Sequence, residues 1–122
     1  MSILFTAYRE LLNLEYPLHR RNFSAIYERV RQTPVRTPQT MFAPEQLRHA
    51  VDLAAALYFR KVLCLQRSAA TVRLLKQHGF AAQLVIGVQQ LPFAAHAWVE
   101  LDGVVFNDKP YMSEIYSVLE RC

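Results

Sequence analysis

The chain is poor in the residues that cross-link or loosen a polypeptide. Three glycines in 122 residues exclude a collagen-like or glycine-rich low-complexity chain. Two cysteines, Cys64 and Cys122, are too few for a disulfide framework and fit free thiols in the cytoplasm. No apolar run reaches the roughly 18 residues that a membrane-spanning helix needs, so no membrane partner is expected. Residues 1–10 lack a basic segment and a cleavage-like end, so no signal peptide is expected. Charged residues make up only 20%, against 52% hydrophobic, which excludes disorder. His19, His49 and His78 show no metal-ligand spacing with cysteines or carboxylates, so neither a metal nor another cofactor is expected.

Acidic residues are scarce in the first two thirds of the chain. Residues 1–80 carry twelve Lys/Arg against five Asp/Glu, a balance of +7, whereas residues 81–122 stand at −3. A basic face can meet an acidic partner or nucleic acid. No helix-turn-helix, zinc-finger or RNA-binding aromatic motif accompanies it, and no nucleic-acid partner is expected. Leu4, Tyr8, Tyr16 and Phe23 in this basic part are candidate apolar anchors for a docking protein.

The length suits one domain, residues 1–122. Apolar spacing predicts helices over residues 3–14, about 22–32, from Pro44 to residue 57 or 58, and from Cys64 to a Gly79 cap. Pro17 marks the end of the first helix. Pro34 and Pro38 make residues 33–39 an extended linker. Short β-branched runs then predict strands over residues 80–88, 94–99 and 104–108; residues 116–120 suit a last strand or a short helix, with the strand preferred. Helices first and strands afterwards indicate an α+β fold, with N-terminal helices packed on a small antiparallel sheet. Residues 1–40 read as a helical extension, and residues 44–122 as the catalytic core.

Cys64 stands where a helix begins. Unpaired amides there stabilise a thiolate, the nucleophilic form of cysteine. The flanking Val62, Leu63 and Leu65 equally suit a buried core cysteine. His96, among small and apolar residues, needs a hydrogen-bond partner. Asp108 can supply it if Leu101-Asp102-Gly103 forms a three-residue hairpin loop, because His96 then pairs Asp108 and Trp98 pairs Phe106. A two-residue Asp102-Gly103 loop would instead set His96 opposite Lys109. The three-residue loop is expected, with Asp102 as a turn residue. Cys64 would attack a carbonyl, His96 would move the proton, and Asp108 would orient the imidazole. A cysteine at a helix start with His and Asp on adjacent strands is the plan of papain-like and transglutaminase-like enzymes.

The run Cys64-Leu65-Gln66-Arg67-Ser68, with Ile86-Gly87-Val88, Pro92-Phe93 and His96-Ala97-Trp98-Val99-Glu100, resembles the lasso-peptide leader peptidases of the transglutaminase-like superfamily. The resemblance covers about residues 45–109. It implies a cysteine endopeptidase that removes the leader from a ribosomally made precursor, with Cys64, His96 and Asp108 as its triad. It also implies a separate leader-recognition protein, for a stand-alone peptidase form, and an ATP-dependent lasso cyclase acting on the freed amine. Arg67, Ser68 and Trp98 are candidate substrate contacts. The Cys64 backbone amide, with Gln66 or Tyr58, is the candidate oxyanion hole. The alternatives are a transglutaminase-like amide transferase on another peptide class, or a non-catalytic scaffold of the maturation complex. Cys122 is expected to be inert.

Overall fold

The computed structural model describes residues 2–36 and 42–122. Four helices come first: α1 (Ile3–His19), α2 (Phe23–Gln32), α3 (Pro44–Leu57) and α4 (Cys64–Gln77). Strands β1 (Ala82–Gln90), β2 (Phe93–Leu101) and β3 (Val104–Val105) follow, then the short α5 (Met112–Ile115) and β4 (Ser117–Arg121). The sheet is antiparallel in the order β3-β2-β1-β4. This is the expected α+β arrangement, with helices on a small antiparallel sheet.

Helix α1 runs one turn past the expected end and contains Pro17. Proline has no amide to bond the carbonyl four residues earlier, at Asn13. The Arg29 guanidinium donates to that carbonyl instead, which lets the helix continue and ties α2 to it. Asn22 Oδ1 then caps α2 through the Ala25 amide at 3.2 Å. Beyond α2, residues 34–36 belong to no helix or strand; residues 37–39 of the expected linker lie outside the described residues.

Helices α1 and α2 contribute to the core. Ala7, Leu11 and Leu14 of α1, with Ile26 and Val30 of α2, are fully buried. They pack with Leu47, Val51 and Ala54 of α3 and with Val72, Leu74 and Leu75 of α4. Of the expected apolar anchors, Leu4 and Tyr8 pack on this core, whereas Tyr16 and Phe23 are exposed. Lys76 is buried too, and its ammonium donates to the Val30 carbonyl at 2.7 Å. Burial lowers its pKa, and that bond is what makes a buried amine tolerable. Among the described residues no helix is long and apolar enough to cross a membrane.

Of the four long helices, α4 packs directly on one face of the sheet, and the short α5 contributes to the other. Leu84, Ala97 and Val99 face α4, and a smaller cluster of Val85, Trp98 and Met112 lies on the opposite face. Gly87 permits that second cluster. A Cβ there would lie 2.7 Å from the Trp98 ring and 2.7 Å from Tyr116 Cβ. Gly87→Ala should therefore cost about 1–3 kcal/mol by overpacking, lowering the thermal midpoint by roughly 4–15 °C. An unchanged midpoint would show that Trp98 and Tyr116 yield freely.

The β2–β3 hairpin corrects the expected register. Leu101 pairs Val104 and Glu100 pairs Val105, so the loop has two residues. Asp102 (φ 54°) and Gly103 (φ 78°) are both left-handed, as a type I′ turn requires. Trp98 consequently does not pair Phe106. Phe106 lies on the α4 face and donates its amide to the Val99 carbonyl at 2.8 Å.

Candidate active site

The two-residue loop alone would set Asp108 opposite Ala97, one residue short of His96, yet the two side chains meet. The reason is Asn107. Its side-chain Oδ1 accepts from the Val99 amide at 2.7 Å, taking the place of a strand carbonyl. Strand pairing stops at this point, and the chain turns across the end of β2. Asp108 Oδ2 then lies 2.5 Å from His96 Nε2, while Oδ1 accepts from the Lys109 amide at 2.8 Å. Asn107 Nδ2 donates to Ser68 Oγ at 3.1 Å, and Ser68 Oγ donates to the Ala97 carbonyl at 3.3 Å. One carboxamide thus connects α4, β2 and the loop that carries Asp108. Sequence reading missed this role, since Asn107-Asp108-Lys109-Pro110 looks like an ordinary turn.

The imidazole is held from its ring faces as well. Its centroid lies 5.7 Å from Tyr116 and 6.3 Å from Trp98, at interplanar angles of 27° and 26°. Trp98 Nε1 donates to Glu100 Oε2 at 3.1 Å, and Arg121 Nε lies 3.4 Å from Glu100 Oε1. The ring is therefore fixed by Asp108 at Nε2, which leaves Nδ1 as the nitrogen without a hydrogen bond among the described residues.

Cys64 is the first residue of α4. Leu63 precedes it with no side-chain cap, so the first-turn amides keep their unpaired donors. Cys64, His96 and Ala97 line two adjoining cavities. One, of about 280 Å3, is apolar and includes Phe23, Tyr27, Leu65, Ile86, Val88 and Leu119. The other, of about 240 Å3, includes Val62, Leu63, Arg67, Ser68, Asn107 and Asp108. Cys64 Sγ has no hydrogen-bond partner among the described residues, so cysteine and imidazole share the cavities without a direct bond.

The remaining candidates are separated by their surroundings. Arg67 is exposed on the Cys64 cavity. Ser68 reaches that cavity, but its hydroxyl is committed to β2 and Asn107. Trp98 is fully buried and cannot wall an open groove. Gln66 follows Cys64 by two residues, about 200° round the helix, and its Nε2 donates to the Leu11 carbonyl at 2.9 Å. The Tyr58 hydroxyl donates to Glu15 at 2.9 Å, and burial together with that carboxylate keeps it protonated far above the usual phenol range. Neither Gln66 nor Tyr58 lines a cavity at Cys64, so both belong to the helical layer rather than to an oxyanion hole. Cys122 is buried, and burial raises its thiol pKa. Iodoacetamide at near-neutral pH should alkylate Cys64 at least about tenfold faster than Cys122, as read from peptide masses over time. Equal rates would mean that Cys64 is no more accessible than a core thiol.

Known proteins bear on this arrangement. A family model described as transglutaminase-like superfamily matches residues 10–121. Microcin J25-processing protein McjB of Escherichia coli is 46% identical over 56 residues, which cover 46% of this chain and 27% of that protein. The match thus spans about a quarter of that relative's length. No solved structure matches the chain. With the family model extending from within α1 to the end of β4, the chain belongs to the transglutaminase-like superfamily.

Proposed function

We propose that this protein is a cytoplasmic cysteine endopeptidase that removes the leader from a lasso-peptide precursor. The observation that carries the reading is the His96–Asp108 hydrogen bond beside a cavity that Cys64 also lines. The likeness to a microcin-processing protein supports the choice of substrate class.

In this reading His96 takes the Cys64 proton at Nδ1 while Asp108 holds Nε2 and stabilises the imidazolium. Sγ attacks the scissile carbonyl carbon, forming a C–S bond and a tetrahedral oxyanion. The Cys64 amide, unpaired at the start of α4, is the first oxyanion donor. The C–N bond then breaks, and His96 gives its proton to the departing amine of the core peptide. Water, deprotonated by the same imidazole, cleaves the thioester and releases the leader carboxylate. The apolar cavity suits a nonpolar side chain beside the scissile bond, and Arg67 is placed to contact peptide carbonyls. No cofactor takes part. The freed amine would pass to an ATP-dependent cyclase.

A leader is a flexible chain, and gripping it only around one bond leaves most of its ordering entropy uncompensated. A leader-recognition protein that binds the leader and docks here would raise the local concentration to about millimolar. Cleavage of precursor, followed by mass spectrometry, should then be at least about tenfold faster with that protein present, or roughly 1.4 kcal/mol. Equal rates with and without it would favour a self-sufficient protease. The assay also tests the function itself, because intact precursor under every condition would exclude the peptidase reading.

A further inference from the structure

Another cavity lies apart from Cys64. It has a volume of about 380 Å3 and lies between α1, the end of α2 and the second half of α4. Its charged lining consists of Arg9, Arg29, Arg36 and Arg73, alongside Gln32 and Gln77. Each guanidinium presents a planar fork of N–H donors that matches a carboxylate. Four such groups converging on one cavity repel one another unless an anion is present.

The chain supplies only part of that anion. Glu10, at 2% exposure, lies beneath the cavity with Oε2 3.3 Å from Arg73 Nε, and Gln77 Nε2 donates to its Oε1 at 2.9 Å. One carboxylate leaves an excess of three positive charges. Arg73 Nε and Glu10 Oε2 face each other as an ion pair without a hydrogen bond, and Arg73 Nη1 is buried with no hydrogen bond among the described residues, a condition that normally costs free energy. Arg29 reaches Asn13, whereas the side chains of Arg9 and Arg36 are exposed and make no ion pair among the described residues. The backbone amide of Arg36 is fixed to the Lys76 carbonyl at 3.0 Å, so this rim of the cavity is held in place.

We propose that this arginine-lined cavity is an exosite for a carboxylate side chain of a bound polypeptide. Arg73 and Gln77 follow Cys64 by nine and thirteen residues along α4, roughly 14–20 Å along its axis and about 180–220° round it, so the cavity opens on the other side of the helix from the nucleophile. The axial distance alone takes about four to six extended residues, and passing around α4 takes more. An acidic residue well removed from the cleaved bond, on a chain long enough to pass around α4, can occupy the cavity while the bond lies at Cys64. This geometry rests on the peptidase reading; the carboxylate preference itself does not.

The first test is binding, which needs no activity. A fluorescent octapeptide with three central aspartates and its asparagine counterpart are titrated with the full chain at low salt. The aspartate peptide should bind at least about tenfold more tightly, and Arg9→Glu/Arg36→Glu should abolish the difference. A control with the same charge change elsewhere, Arg20→Glu/Arg60→Glu, should retain it. Should the first variant fail to fold, Arg9→Gln/Arg36→Gln repeats the test at matched size. Equal binding of the two peptides, an Arg9/Arg36 variant that keeps the preference, or a control that loses it equally would overturn the proposal. The second test identifies the source of the carboxylate. A raised KM for precursor at unchanged kcat, with no other protein present, assigns it to the substrate. Loss of stimulation by the recognition protein alone assigns it to that partner.

Discussion

Cys64→Ala is expected to lower precursor cleavage by ~10⁴-fold or more while leaving the fold intact. The chemical half of that expectation follows from removing the thiol that the proposed mechanism uses as its nucleophile. The structural half follows from the surroundings of the thiol. Sγ has no hydrogen bond to lose among the described residues, and the side chain is only partly buried at the start of α4. Alanine is also a strong helix former, so the first turn of α4 is not weakened. Far-ultraviolet circular dichroism and the thermal midpoint should match the parent, while product masses stay absent. Parent-like cleavage by this variant would remove cysteine chemistry from the account.

His96→Ala and Asp108→Asn should separate the two remaining roles. Without the imidazole, neither the thiol proton nor the leaving amine is served, and the loss should approach that of Cys64→Ala. Asp108→Asn keeps the size of the side chain but removes its charge. The carboxamide then favours the wrong imidazole tautomer and no longer stabilises the imidazolium, so a loss of about 10²- to 10⁴-fold with measurable residual activity is expected. Both side chains are about one-quarter exposed, so neither change empties a core position. Combining His96→Ala with Cys64→Ala should add little to either alone, since residues acting as one unit are not additive. Full additivity would indicate that His96 acts independently of the cysteine.

Much of the architecture follows from local patterns. The apolar stripe of Ala7, Leu11 and Leu14 marked α1, and Pro44 marked the start of α3, because helix faces and first-turn prolines obey short-range rules. His96 meets Asp108, but not through the three-residue loop that strand parity suggests. The loop has two residues, the ladder ends at Val105, and Asn107 turns the chain by a side-chain bond. Such a bond leaves no periodic trace. Gly87 was more legible in principle, since a glycine inside a β-branched strand signals a close approach, here by Trp98 and Tyr116. Gln66 and Tyr58 were linked to the site by nearness in sequence, but helix rotation turns Gln66 away and Glu15 holds the Tyr58 hydroxyl. The arginine cavity joins residues from α1, the α2 terminus and α4, so the basic balance of the first 80 residues hinted at it without locating it.

The central claim is that Cys64 forms a covalent bond to the scissile carbonyl carbon with help from His96. Once fragment masses locate the cut, a leader segment ending there in a chloromethyl ketone provides the most direct measurement. Attack by Sγ displaces chloride and leaves a stable thioether whose position can be read by peptide mass spectrometry. A single adduct on Cys64, absent in Cys64→Ala and formed more slowly in His96→Ala, is the expected result. An adduct on Cys122, or modification of Cys64 at the same rate in His96→Ala, would contradict the account.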